Sequence, residues 1–288
     1  MVFTRHDLIV TTVVFFICLF ALSLWGFYSA IFPIKIISTH TPRDFGFLYE
    51  DVSFYTQDHL LLRGWFVPNK NKNAKTIILL HGYGADKGDL LPSRLFLAQN
   101  YNLLFFDFRY FGQSEGSYST VGLNEIKDLK AAIHFLKKRG IHEVGVWGLS
   151  MGGAVALMTA KEMKEIKVMV VESSYARLDF MIYQYFSIPL LRYPLGLLMR
   201  LWGYLFLGYD VKSVSPMEAA SRLEIPVLLI YSENDQLIPY AQAVLLRDSL
   251  AHNPHAEFLV YKNIPHGGLE KGYEIKIQDF FRKGFLAV

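Results

Sequence analysis

Between Thr76 and Tyr261, six short apolar runs alternate with helical segments, and this alternation constrains the fold more than any other feature of the chain. The runs are Thr76–Leu80, Asn102–Phe106, Val144–Trp147, Val168–Glu172, Pro226–Tyr231 and Phe258–Tyr261. Each is too short for a helix and apolar at nearly every position, as strands buried on both faces are. Leu123, Ile126, Leu129, Ile133 and Leu136 recur at helical spacing up to Gly140, which predicts an amphipathic helix stopped by a glycine. Leu90–Ala98, Met151–Lys161, Tyr240–Leu250 and Ile277–Phe285 read as further helices. Ahead of them, Val52–Thr56 and Leu60–Phe66 read as two strands joined by a turn at Gln57-Asp58. Strands alternating with helices predict an α/β fold, a mostly parallel central sheet with helices on both faces.

Two segments stand outside this rhythm. From Leu8 to Ile34 there is no charged residue, a run longer than the roughly 20 residues that cross a bilayer as a helix. Trp25, Phe27 and Tyr28 stand near one end of it, where an aromatic belt belongs. A cleaved signal peptide has a shorter apolar core and a small-x-small exit, whereas this exit reads Tyr28-Ser29-Ala30. The expectation is an uncleaved N-terminal transmembrane helix, making a single-pass membrane protein. Arg5 precedes the run and Lys35 and Arg43 follow it, which leaves its orientation open. The second segment, from Ser173 to Leu223, has no clear strand. Between Phe180 and Tyr209 its only charges are Arg192 and Arg200, and Pro189 and Pro194 interrupt it. It reads as a helical lid insertion, at about 174–222, over the carboxyl edge of the sheet. The expected organisation is an anchor and linker over 1–40 and one α/β domain over 41–288.

Composition excludes several function classes. A net charge of +3 without a Lys/Arg run gives no field for nucleic acid. The single cysteine, Cys18, lies in the apolar run and permits no intramolecular disulfide. No zinc-type Cys/His spacing and no Walker-type loop occurs, so neither a metal nor another cofactor is expected.

The chemistry concentrates at Gly148-Leu149-Ser150-Met151-Gly152, a G-x-S-x-G sequence directly after a predicted strand and directly before a predicted helix. A strand–turn–helix of that kind lifts a serine clear of the sheet, and a Cβ two residues away on either side would collide with the turn. Gly153 allows the helix to pack close to the strand. A serine hydroxyl needs a base. Of the nine histidines only His252, His255 and His266 follow Ser150. His252 and His255 precede the last strand, whereas His266 follows it in Asn263-Ile264-Pro265-His266-Gly267-Gly268. An acid must hold the imidazole, and Asp235, just past Pro226–Tyr231, is favoured over Glu233 and Glu172. Oxyanion donors are expected from the backbone N–H of Met151 and of Tyr83, the latter in His81-Gly82-Tyr83-Gly84 after Thr76–Leu80. His81 reads as a structural loop histidine.

With these motifs in this order the chain resembles the α/β-hydrolase superfamily over about residues 52–288. Asp107-Phe108-Arg109-Tyr110-Phe111-Gly112-Gln113-Ser114-Glu115-Gly116 is similar to that superfamily's D-x-R-x-x-G-x-S-x-G loop, which is mostly structural. An anchor ahead of a compact domain resembles membrane-anchored members that act as serine esterases or acyl-thioesterases. The resemblance implies hydrolysis of a small-molecule acyl ester, thioester or lipid through Ser150, His266 and Asp235. The apolar insertion would then bind the acyl chain, with Phe186, Leu198 and Trp202 as candidate contacts. An exopeptidase of the same fold is the alternative, although the insertion is poor in the acids that hold a substrate amine. A catalytically silent membrane scaffold is the third reading, and it has no need of Ser150, Asp235 and His266 together.

Overall fold

The computed structural model of the protein describes residues 4–186 and 188–287, so the ends of the expected 1–40 and 41–288 segments and Ser187 of the insertion lie outside the described residues. The strands are β1 (Glu50–Tyr55), β2 (Leu61–Val67), β3 (Thr76–Leu80), β4 (Asn102–Phe106), β5 (Val144–Leu149), β6 (Ile166–Glu172), β7 (Val227–Ser232) and β8 (Ala256–Tyr261). The helices are α1 (Arg5–Ile31), α2 (Leu91–Arg94), α3 (Glu125–Lys138), α4 (Met151–Ala160), α5 (Leu178–Tyr185), α6 (Pro189–Trp202), α7 (Pro216–Ala220), α8 (Tyr240–Ser249) and α9 (Tyr273–Gly284). The chain forms two compact units, residues 34–177 with 215–288, and residues 1–33 with 178–214.

The larger unit holds one eight-stranded sheet in the order β1-β2-β4-β3-β5-β6-β7-β8. The first two pairings are antiparallel, and every pairing from β4 to β8 is parallel. The expected α/β architecture is therefore the observed one. The short runs are strands because both of their faces have a core to enter. Ile78 and Leu80 of β3 lie in one buried cluster with α3, α4 and α8, through residues such as Leu129, Val155 and Leu246. Their neighbours Ile77 and Leu79 lie in the opposite cluster with Leu91 and Leu95 and with Phe280 and Phe281 of α9. The hairpin turn falls where the sequence puts it, with the Thr56 N–H donating to the Leu60 carbonyl at 2.9 Å. The expected helix over Leu90–Ala98 is broken instead: 3₁₀ turns at Lys87–Leu90 and Leu95–Gln99 flank the single α-turn α2. That segment buries Leu90, Leu91, Leu95 and Leu97 together, more than one face of a helix supplies.

Because β3, β5, β7 and β8 run the same way, the segments leaving their carboxyl ends share one edge of the sheet. Tyr83, Ser150, Asp235 and His266 all follow such ends.

The smaller unit joins α1 to the insertion. Helix α1 has 27 residues and is, by length and composition, long and apolar enough to cross a membrane. It opens with a capping box in which Thr4 and Asp7 satisfy each other's backbone N–H groups. Helix α6 starts at Pro189, where a missing N–H costs nothing, and continues through Pro194, which the sequence reads as an interruption.

Candidate active site

Ser150 sits at φ 54°, ψ −116°, between the end of β5 and the start of α4. A non-glycine residue held there is strained, and strain persists only where the surroundings over-determine it. Three observations supply that determination. The Ser150 N–H donates to the Glu172 carbonyl at 2.8 Å, continuing the β5–β6 pairing through the turn. A Cβ on Gly148 would stand 2.4 Å from the carbonyl carbon and oxygen of Gly152, and a Cβ on Gly152 would stand 2.6 Å from the Leu80 oxygen. Both contacts are with backbone, so a Cβ at either flanking position of the motif forces the main chain to shift. A Cβ on Gly153 would meet Ser174 Cβ and Val171 Cγ1 at 3.0 Å, which matches the close helix–strand approach expected there.

His266 and Asp235 are brought together. His266 Nδ1 lies 2.7 Å from Asp235 Oδ2, with the Asp235 side chain wholly buried and that of His266 18% exposed. Asp235 Oδ1 accepts the N–H groups of Leu237 and Ile238, each at 2.9 Å. Burial works against the Asp235 charge. The hydrogen bonds from His266, Ile238 and Leu237 outweigh it and hold the carboxyl below the ordinary carboxylate range. With Oδ1 fixed by the backbone, Oδ2 is left to the imidazole, which dictates an Nδ1–H tautomer and turns Nε2 outward. The loop of His266 reaches the elbow: at Gly267 (φ +70°) a Cβ would meet Leu149 Cδ1 at 3.1 Å.

The other candidate acids and bases are occupied elsewhere. Glu233 is exposed. Glu172 is fully buried, and its Oε2 receives Arg94 at 2.5 Å and the Trp147 indole N–H at 3.0 Å. His252 holds backbone carbonyls of Ser249 and Leu223, and His255 lies at the amino end of β8, the far edge of the sheet. His81 is completely buried, with Nδ1 on the Gly82 carbonyl at 2.8 Å and Nε2 accepting the Phe108 N–H at 3.0 Å. Burial pushes its pKa down, so it stays neutral and ties two loops together.

The loop after β3 runs beside the serine, since a Cβ on Gly82 would lie 3.4 Å from Ser150 Cβ. That puts the Gly82-Tyr83 backbone next to Ser150, and Met151 is the first residue of α4. The Asp107–Gly116 loop is structural, as its resemblance implies. Asp107 binds the Lys87 ammonium at 2.6 Å, while Arg109 makes paired contacts with Asp128 and Asp58. Gly112, at φ +50°, leaves room for the Asp107 carboxylate, which a Cβ would approach to 2.3 Å. Arg94 was not singled out by the sequence. Its guanidinium stacks on Trp147 of β5 at 3.6 Å and pairs with Glu172, whose carbonyl anchors Ser150. The one signal available was a lone charge in the apolar stretch Leu90-Leu91-Pro92-Ser93-Arg94-Leu95-Phe96-Leu97.

Of the expected insertion contacts, Trp202 is 7% exposed and its Nε1–H donates to Ser23 Oγ of α1 at 3.0 Å. Phe186 packs in the same cluster, with Phe27, Ile31 and Met199, and Leu198 is half-buried on α6.

The profile of the alpha/beta hydrolase family matches residues 77–268, which includes all four loops at the sheet edge. The chain belongs to this family. It is 28% identical over 250 residues to protein bem46 of Schizosaccharomyces pombe, covering 83% of this chain and 79% of that one. It is 25% identical over 257 residues to the membrane protein YNL320W of Saccharomyces cerevisiae, covering 85% and 84%. Among solved structures it resembles the Pyrococcus furiosus esterase Pf2001, with a TM-score of 0.72 and 29% identity over 88% of this chain and 99% of that one.

Proposed function

We propose that this alpha/beta hydrolase is a membrane-anchored serine hydrolase of carboxylic esters or thioesters, with Ser150 as nucleophile, His266 as base and Asp235 as its orienting acid. The observation that carries the reading is the 2.7 Å His266–Asp235 pair beside a strained, glycine-flanked Ser150. In this scheme His266 Nε2 takes the Ser150 hydroxyl proton as Oγ forms a bond to the acyl carbon. The backbone N–H groups of Met151 and Tyr83 face the oxyanion. The carbonyl re-forms, the alkoxide or thiolate leaves with the proton from His266, and an acyl-Ser150 ester remains. Water, deprotonated by the same histidine, then releases the carboxylic acid and returns the proton to Ser150. The likeness to an esterase favours an acyl substrate, and α1 with the likeness to a yeast membrane protein favours an anchored enzyme.

The test is covalent labelling. A fluorophosphonate should label the wild-type chain, and Ser150→Ala should abolish the label and lower kcat by roughly 10⁴- to 10⁶-fold with the fold unchanged. Undiminished labelling of that variant would remove Ser150 from the mechanism. A wild-type chain that neither labels nor turns over acyl esters would leave the scaffold reading in its place.

A further inference from the structure

We propose that the insertion is itself embedded in lipid, so that α5, α6 and the turn after α6 form one bilayer-seated unit with α1. This rests on the reading that α1 crosses the membrane.

The insertion is fastened to α1 at a depth that lipid would occupy. Trp202 Nε1–H donates to Ser23 Oγ at 3.0 Å, and the Ser23 hydroxyl in turn donates to the Phe20 carbonyl at 2.8 Å. The Phe20 ring meets Trp202 edge-on at 4.7 Å, and Phe27 stacks on Phe206 at 5.8 Å. Gly26 leaves the space Phe186 fills, since a Cβ there would stand 2.9 Å from Phe186 Cζ. Small residues at positions three apart, with a hydroxyl hydrogen-bonded across the helices, are how helices associate where no water drives them together. Ser23 lies eight residues before the end of α1 at Ile31, roughly 12 Å along the axis at 1.5 Å per residue. In a hydrocarbon core of roughly 30 Å, a helix held there cannot stay in water.

The outer face of the insertion has the matching chemistry. Helix α6 buries Leu195, Gly196, Met199 and Trp202. The opposite side of an amphipathic helix facing water should be polar. Here it carries Leu190, Leu197 and Leu201, at 84%, 61% and 46% exposure, and Leu205 and Phe206 follow in the turn at 60% and 63%. Helix α1 is as apolar on its exposed surface, where Phe16 and Ile17 are equally open. Asp179, at the start of α5, is buried, and the two charges of α6 are placed to leave lipid rather than to face it. Arg200 reaches Asp210, and Arg192 folds over the Tyr193 ring and hydroxyl. Long cationic side chains with an aromatic partner reach the interface in this way.

The test is cysteine accessibility of the full-length chain in native membranes, in a Cys18→Ser background. Single substitutions Leu197→Cys, Leu201→Cys and Phe206→Cys are compared with Val13→Cys in the middle of α1 and Lys138→Cys on the exposed end of α3. A membrane-impermeant maleimide should label Lys138→Cys freely. It should label the three insertion variants and Val13→Cys at least about tenfold more slowly, with full reactivity after denaturation in detergent. A diazirine-bearing phospholipid in the same membranes should crosslink to residues 189–207. If Val13→Cys is protected while the insertion cysteines react like Lys138→Cys, the insertion is outside the bilayer and the inference fails, although the anchor stands. If Val13→Cys also reacts freely, the anchor reading fails and takes the inference with it. Protected insertion cysteines that crosslink to a second copy of the chain, and not to the phospholipid, would likewise overturn it.

Discussion

At the scale of single residues, the site depends on what each polar atom has already been given. Asp235 spends one oxygen on two backbone N–H groups and keeps the other for His266, so its carboxylate has one orientation and one partner. Asp235→Asn preserves the shape but offers the imidazole an amide that can present a donor where an acceptor is needed. The expected result is a kcat lower by about 10⁴-fold, out of proportion to the modest fall in melting temperature that loss of the Asp235 charge brings. Glu172→Gln, by contrast, should lower thermal stability through the Arg94 pair while leaving turnover far higher than Asp235→Asn does. Near wild-type turnover of Asp235→Asn would make some other acid the partner of His266. The residues proposed for this site were legible as candidates because each follows a strand whose apolar run is plain in the sequence. Choosing Asp235 over Glu172 was harder, because Glu172 also closes a strand. What separates them is Arg94, more than seventy residues away in sequence, and no local pattern announces that contact.

At the scale of elements, the elbow is a collision avoided twice. Both flanking glycines of Ser150 face backbone within 2.7 Å of where a Cβ would stand. Gly148→Ala therefore has to move α4 or the end of β5. The expected cost is at least about 1–3 kcal/mol, the range for overpacking, together with a loss of fluorophosphonate labelling out of proportion to the loss of stability. Differential scanning calorimetry and labelling rates check the two parts, and a variant equal to the wild type in both would mean that the turn has slack. The elbow announces itself because glycine spacing and strand–helix order coincide. The insertion does not. Helix α1 is apolar all round, so nothing in its periodicity marks Ser23 and Gly26 as the face that meets Trp202 and Phe186. Two small residues three apart were the whole signal. In the same way Pro194 reads as a break, yet α6 passes through it with Leu190 exposed one turn earlier.

At the scale of the whole molecule, the acid side of the pH dependence of stability traces to charged contacts that tie loops to one another and to α3. Partial burial disfavours the Asp58 charge, but hydrogen bonds from Arg109 and Thr56 and the charge of Arg109 outweigh it. The carboxyl is held well below the ordinary range, and Asp235 shifts the same way. A carboxyl lowered in the folded state adds stability above its unfolded pKa of about 4, and that stability is lost as the pH falls further. Asp58→Asn should therefore melt below the wild type at pH 6, with the gap closing as the pH drops below about 4. A gap constant from pH 3 to pH 6 would assign the loss to packing instead of charge. The two-faced core needs no such pairs: neighbouring residues of β3 enter opposite clusters, so the sheet is specified by apolar positions alone.

The two ends of the insertion meet. The Leu178 N–H donates to the Val214 carbonyl at 3.1 Å, so the segment between them leaves and returns at a single point. Strands β6 and β7, on either side of it in sequence, pair in parallel from Met169 opposite Val227 to Glu172 opposite Ile230. Their register is set by residues outside the excursion, and the entropy of closing a loop grows only with the logarithm of its length. For descent with modification this makes the excursion a replaceable cassette. It can lengthen, shorten or be exchanged between lineages while Ser150, Asp235 and His266 keep their places, so what the enzyme touches can diverge without a change in the reaction it performs.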